Sequence, residues 1–199
     1  MNGMKASDRI FAFLDLPEPE VGQAELGAQQ IDICMEQLSF SYEESRPILK
    51  GITLELPAQS FVSLVGVSGS GKSTLAAALA RLVNGWQVLH LDDWYPGWDG
   101  LAAGADIARR IAADLRAGRA SSYEAWDWEH DTTGATIRVP LAPTIIEGCG
   151  AIEVEADLAV WIADPGEEER RTRALARDGQ TYAPHWQRWA DQDLGRSIH

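Results

Sequence analysis

Gly66-Val67-Ser68-Gly69-Ser70-Gly71-Lys72-Ser73 satisfies the spacing G-x-x-x-x-G-K-[ST], and no other feature restricts the possible folds of this chain as strongly. The pattern works through backbone geometry. Gly66, Gly69 and Gly71 can take positive φ, which lets main-chain N–H groups turn inward around phosphate oxygens. Lys72 adds charge at the β and γ phosphates, and the Ser73 hydroxyl is placed to ligate Mg2+. The flanks match what the motif requires. Residues 60–65 read as a buried strand, and residues 74–83 are rich in strong helix formers. A helix that starts at the loop adds its dipole to the anion site. The expectation is an α/β domain of the P-loop NTPase class with a parallel core sheet, in which Gly66, Val67, Ser68, Gly69, Ser70, Gly71, Lys72, Ser73 and Thr74 hold the phosphates of Mg-ATP.

Composition narrows the partners. The net charge of −13 argues against a nucleic-acid backbone. The two cysteines, Cys34 and Cys149, are far apart and lack metal-ligand spacing, which fits a reducing compartment. No apolar run reaches the length of a membrane span and no signal peptide is visible at Met1, so a cytoplasmic location is expected.

The residues are sorted unevenly about the loop. All four Phe precede it and all eight Trp follow it, while the Lys and Met residues all lie at or before Lys72. Chance in small counts is one reading. The other is two sequence sources joined near residues 72–85.

Upstream, residues 1–30 read as the end of a helix running into an acidic, Pro-rich, mobile linker. Residues 31–35, 37–42 and 48–56 read as strands, the last alternating in polarity and ending at Pro57. They predict an antiparallel β layer over residues 31–59, leading into a core over 60–199. Residues 7–75 resemble the start of the nucleotide-binding domain of an exporter-type ABC transporter, through the words RIFAFLDLPEPE (9–20), LSFSYEESRPILKGITLELP (38–57) and GVSGSGKSTL (66–75). The resemblance implies that Tyr42 stacks on the adenine; taken alone, Tyr42 is an ordinary strand aromatic. This sequence contains no L-S-G-G-Q-type signature and no glutamine loop, so a transporter ATPase cycle is not expected from it, and a membrane partner follows only if the ABC-like half is functional.

Downstream, the expected order is helix, strand, acidic turn, helix, aromatic-acidic loop, strand, strand and arginine-rich helix, the last over residues 167–177. Asp92 and Asp93 follow the short strand at 88–91, and Glu147 ends the strand at 144–148, both at the edge where open α/β sheets bind ligands. Residues 75–194 resemble the uridine kinase-like group of P-loop kinases, through LDDWY (91–95), YEAWDWEH (123–130), IIEG (145–148) and DPGEEERRTRALARD (164–178). The resemblance implies a phosphotransferase acting on a nucleoside-like hydroxyl acceptor. Asp92 would be the base, Asp93, Tyr95, Trp126, Asp127 and Trp128 would line the acceptor pocket, and Glu147 would join Ser73 at the metal. Arg170, Arg173 and Arg177 would close over the phosphates with Lys72. In this group a last core strand and helix normally follow, so a C-terminally short sheet is expected.

Structural alternatives stand beside each role. Asp92 and Asp93 could cap the next helix. The arginines could pair with Glu167, Glu168 and Glu169 on a solvated face. Trp126 and Trp128 could be core. Two other functional classes remain: an ABC-derived module that binds ATP without a signature partner, and a non-functional hybrid.

Overall fold

The computed structural model describes residues 32–43, 46–82 and 85–197. The chain divides into two units, Met1–Gln30 and Ile31–His199. All described residues belong to the second, and the linker expected over residues 1–30 lies outside them.

Four parallel strands form the core sheet: β3 (Phe61–Val65), β4 (Gln87–His90), β7 (Thr144–Glu147) and β8 (Leu158–Trp161), in the order β4-β7-β3-β8. Central position explains composition. Every residue of β3 and β7 is buried, and neither strand alternates in polarity: β3 is apolar but for Ser63, and β7 carries Ile145 and Ile146 between Thr144 and Glu147. Edge strand β8 alternates between half-buried Leu158 and Val160 and exposed Ala159 and Trp161.

The two faces of the sheet carry separate cores. On one, Val62, Leu64 and Ile145 pack with Leu75, Ala76 and Leu79 of helix α1 (Lys72–Leu82) and with Met35 and Leu56. Met35 and Leu56 come from the antiparallel pair β1 (Ile33–Glu43) and β2 (Arg46–Leu56). The pairing slips at several points between Met35 and Glu43, where Gln37 takes φ of 52°. On the other face, Phe61, Leu89 and Ile146 meet Leu101, Ala108, Ile111 and Leu115. These last four form one stripe of helix α2 (Leu101–Arg116), at the spacing that buries a single face. Each fully buried Leu or Ile in these clusters contributes about 1.5–3 kcal/mol.

The stretch expected as an aromatic-acidic loop is instead a hairpin. Strand β5 (Ser121–Asp127) pairs antiparallel with β6 (Thr132–Val139). Only Val139 of β6 is buried, so the strand has no hydrophobic alternation to mark it. Its Thr-rich, β-branched composition was the available signal.

Helix α3 (Glu167–Tyr182) extends past the expected end at residue 177 and breaks at Gly179, whose φ of 64° and ψ of −142° are not helical. A short turn through Ala183–His185 leads into helix α4 (Trp186–Ser197), which the sequence did not suggest. Trp186, Trp189 and Ala190 of α4 join the second core. The fold is thus α/β with a parallel core sheet and an N-terminal antiparallel β layer.

Candidate functional site

Because the four core strands are parallel, their carboxyl ends share one edge. β3 runs into the glycine loop, β4 into Asp92 and Asp93, β7 ends on Glu147, and β8 is followed closely by Asp164. Register sets Glu147 beside both Leu64 and His90.

The loop has the backbone its glycines allow, with φ of 80° at Gly69 and 110° at Gly71. Gly69 is required for a second reason: a Cβ there would stand 2.5 Å from the main-chain oxygen of Arg170 on α3. Helix α1 begins at Lys72, so its N-terminal dipole points into the loop. Lys72 is buried; its Nζ donates to the Val67 carbonyl at 3.0 Å and lies 4.0 Å from Cys149 Sγ. The Ser70 hydroxyl is buried with no hydrogen-bond partner among the described residues.

Glu147 is 3% exposed and lies 2.7 Å from His90 Nδ1. Burial pushes its carboxyl upward, but the His90 hydrogen bond, the charges of Lys72 and His90 and the Ser73 hydroxyl together hold it below its ordinary value. The Glu147 hydrogen bond raises the His90 imidazole against the opposing effect of burial. Glu147 therefore stays ionised beside Lys72 and Ser73. Cys149 shows the opposite balance, its thiol driven well up by burial. It is a buried, protonated thiol rather than a nucleophile.

The acidic turn serves two purposes. Asp92 is exposed and its charge acts on His90, Cys149 and Tyr95, which places the carboxylate at the same sheet edge as Lys72 and Glu147. Its main-chain oxygen accepts the Trp128 indole N–H at 2.8 Å. The Asp93 carboxyl is raised by desolvation, more than His90 and the Tyr123 hydroxyl lower it, although the residue as a whole keeps solvent contact.

The residues expected around the acceptor separate into groups. Tyr95 is a core residue: it is fully buried, its ring meets Trp189 at 4.8 Å, and its hydroxyl donates to the Cys149 carbonyl. Asp127 closes the β5–β6 turn, accepting the main-chain N–H groups of Glu129 and His130 and pairing with His130 Nδ1 at 2.8 Å. Trp128 ties the hairpin to the acidic turn and packs on Trp98 at 4.8 Å. Trp126 alone lines a cavity of about 260 Å3, with Pro96, Gly97, Trp98, Asp99, Asp131 and Arg188. Its indole Nε1 is buried without an acceptor among the described residues.

The arginines also differ. Arg170 is 3% exposed, packs against Gly69 through its main chain, and holds its guanidinium 5.8 Å over the Trp186 ring. Its Nε lies 2.8 Å from Asp164 Oδ1, but not aligned as a hydrogen bond, and Nη1 has no partner among the described residues. Arg173 turns back to Glu169 at 2.9 Å. The side chains of Arg177 and Tyr42 lie outside the described residues.

Sequence reasoning missed three members of this edge. His90, Tyr182 and Asp193 all touch the loop or Glu147, yet none belongs to a recognisable spacing. Tyr182 lies 3.3 Å from Ser68 Oγ through its hydroxyl, and Asp193 Oδ2 accepts the Ser68 main-chain N–H at 2.6 Å.

The ABC transporter family matches residues 49–93 of the chain. Curated relatives include the ATP-dependent lipid A-core flippase of Saccharophagus degradans, 40% identical over 86 residues, or 43% of this chain and 15% of the relative. The multidrug resistance-like ATP-binding protein MdlB of Buchnera aphidicola is 44% identical over 75 residues, or 37% of this chain and 13% of the relative. The chain thus spans under a fifth of the length of these relatives. Among solved structures, a possible uridine kinase from Bacillus stearothermophilus is similar at 20% identity, over 68% of this chain and 84% of that one, with a TM-score of 0.42. A bacterial Atm1-family ABC exporter with ATP bound is similar at 20% identity, over 94% of this chain and 48% of that one, with a TM-score of 0.37. The chain is an ATP-binding P-loop protein whose residues 49–93 are similar to the ABC transporter family.

Proposed function

We propose that the chain is an Mg-ATP-dependent phosphotransferase that uses a small hydroxyl compound of the nucleoside class as acceptor. The observation that carries this reading is the gathering of Lys72, Ser73 and Glu147 beneath the loop, with the Arg170 main chain against Gly69 and the Arg170 guanidinium buried beside Asp164 and Trp186. Phosphoryl transfer depends on positioning and charge neutralisation more than on covalent chemistry, and these four groups supply both.

The oxygen pair of Ser73 and Glu147 suits Mg2+, which takes few protein ligands and completes its shell with phosphates and water. The Ser73 hydroxyl is close enough to Glu147 to help hold its carboxyl below the ordinary value, so the two are near one another, and both are hard donors. Bound there, Mg2+ would neutralise phosphate charge.

The other residues take distinct parts. Lys72 exchanges its bond to Val67 for the phosphates. Arg170 offers its unpaired Nη1 to the transferring group. Asp92, exposed at the same edge, accepts the proton of the acceptor hydroxyl. The cavity beside Trp126 takes the acceptor, with the Trp126 indole N–H as a donor to it. Incubation with Mg-ATP and a panel of nucleosides and related alcohols, followed by phosphorus NMR, tests the reading. A phosphorylated acceptor is expected. ATP that binds and stays intact, or is hydrolysed without any acceptor product, rejects it.

A second reading rests on the match at residues 49–93: the chain supplies an ATP-binding segment of the ABC transporter kind, working with a membrane-domain partner at the cytoplasmic face. No helix among the described residues is long and apolar enough to cross a membrane. Tyr42→Ala separates the readings. Loss of ATP affinity assigns the adenine to the ABC-like half, and unchanged affinity assigns it to the kinase-like half.

A further inference from the structure

The C-terminal helix holds an anion in the mouth of the phosphate loop. Asp193 of α4 is 2% exposed. Its Oδ2 accepts the Ser68 main-chain N–H at 2.6 Å, the distance of a charge-assisted bond, and the Cys149 thiol donates to the same oxygen at 3.3 Å. Ser68 is the third residue of the loop, one of those whose N–H groups the pattern turns toward phosphate. Asp193 thus places a carboxylate oxygen on a main-chain N–H of the glycine loop.

Two further groups of the loop are engaged by the protein itself. Lys72 Nζ bonds to Val67 of the same loop, and Ser68 Oγ meets the Tyr182 hydroxyl. Helix α4 is held in place by bonds remote from the loop: Gln192 Nε2 donates to the Trp98 carbonyl at 2.8 Å, Arg188 pairs with Asp99, and Trp189 packs on Tyr95. Asp193 is thus presented to the loop by a helix anchored elsewhere.

We infer that Asp193 is a built-in competitor of the nucleotide: its carboxylate occupies the Ser68 N–H in the nucleotide-free chain, and the polyphosphate binds only as it leaves. The inference rests on the loop's binding ATP. One N–H cannot serve a carboxylate and a phosphate oxygen together, and two anions at contact distance repel. The carboxylate thus weakens the binding of ligands that bring an anion to the loop and leaves ligands without one unaffected. It makes nucleotide occupancy and the position of the last turns of α4 mutually dependent.

The test is calorimetric titration of the full chain with Mg-ATP, comparing the unchanged protein with Asp193→Asn, Asp193→Ser and the loop control Lys72→Ala. Asparagine keeps the shape of the side chain and removes its charge. A hydrogen bond to a charged group is lost from the unliganded state only, so both Asp193 variants should bind ATP roughly tenfold to a hundredfold more tightly. Adenosine should show no such gain. Equal or weaker ATP binding by Asp193→Asn, with the unchanged chain binding and Lys72→Ala impaired, overturns the inference and leaves the nucleotide reading intact. If no protein in the set binds ATP, both fall. Loss of cooperative thermal unfolding in both Asp193 variants would assign the carboxylate to the fold and also overturn the inference.

Discussion

His90 Nδ1 and Glu147 Oε1 stand 2.7 Å apart at the carboxyl ends of β4 and β7, where the parallel register makes the two residues direct neighbours. One partner is nearly buried and the other is half open, so the pair joins the interior of the site to solvent. The ion pair leaves a pH signature on stability. His90 is raised above its ordinary value near 6.5, so its stabilisation is complete below that value and is lost as pH rises through the folded-state value. Glu147 is lowered below 4.5, so its share is present above 4.5 and is lost as pH falls through its folded-state value. Nucleotide-free protein should therefore be most thermostable in mildly acidic buffer. His90→Gln should flatten the upper limb of the melting-temperature profile and leave the lower limb in place.

The two described lid arginines should separate in function. Arg170→Lys keeps a charge but not the fork, and should lower turnover roughly a hundredfold, the usual loss when a transition-state donor is removed. Arg173 already pairs with Glu169, so Arg173→Ala should leave turnover within about threefold, in line with the small worth of exposed ion pairs. Steady-state rates for the two variants check this directly.

Gly69 is constrained twice, by its φ of 80° and by the Arg170 main chain 2.5 Å from where a Cβ would sit. Backbone cannot step aside as a flexible side chain does. Gly69→Ala should destabilise the fold by about 1–3 kcal/mol through strain alone. It should also push α3 off the loop, abolishing measurable ATP binding. Thermal denaturation and nucleotide titration read the two effects separately.

The sequence carried the sheet edge better than the surfaces built upon it. The glycine loop, the strand at Thr144–Glu147 and the strand entering Asp92 were legible because apolar runs ending in a charge are costly unless the charge is used. The β5–β6 hairpin was not legible, because β6 is solvated along nearly its whole length and has no buried face to imprint a period. Tyr95 was misplaced for a related reason. The resemblance carried by LDDWY implied a site role, but its ring is packed inside and its hydroxyl donates to the Cys149 carbonyl. Asp193 left no trace in the sequence, since its partner, the Ser68 N–H, is main chain and carries no residue identity.

Asp127 illustrates how a motif residue can serve shape rather than chemistry. Its carboxylate is lowered chiefly by its bond to the His130 side chain, and it also closes the turn through two main-chain N–H groups. Asp127→Ala should lower the melting temperature while leaving the acceptor KM unchanged. A raised KM with unchanged stability would instead return Asp127 to the acceptor pocket.

Trp126 gives the sharpest test of the cavity. Its indole N–H is buried and unpaired, and a buried donor without an acceptor costs the full loss of its hydration. Trp126→Phe keeps an aromatic ring at the position but removes both that donor and the outer ring whose Cζ2 faces Gly97. Deleting the unsatisfied group offsets part of the packing lost with that ring, so stability should change by no more than about 1–2 kcal/mol. Binding of Mg-ATP at the glycine loop, as proposed, should be unaffected. The acceptor KM should rise about tenfold if the N–H serves an acceptor hydroxyl, which is the worth of one neutral hydrogen bond. A KM unchanged by the substitution would remove Trp126 from the acceptor site and leave its cavity as a packing defect between the hairpin and α4.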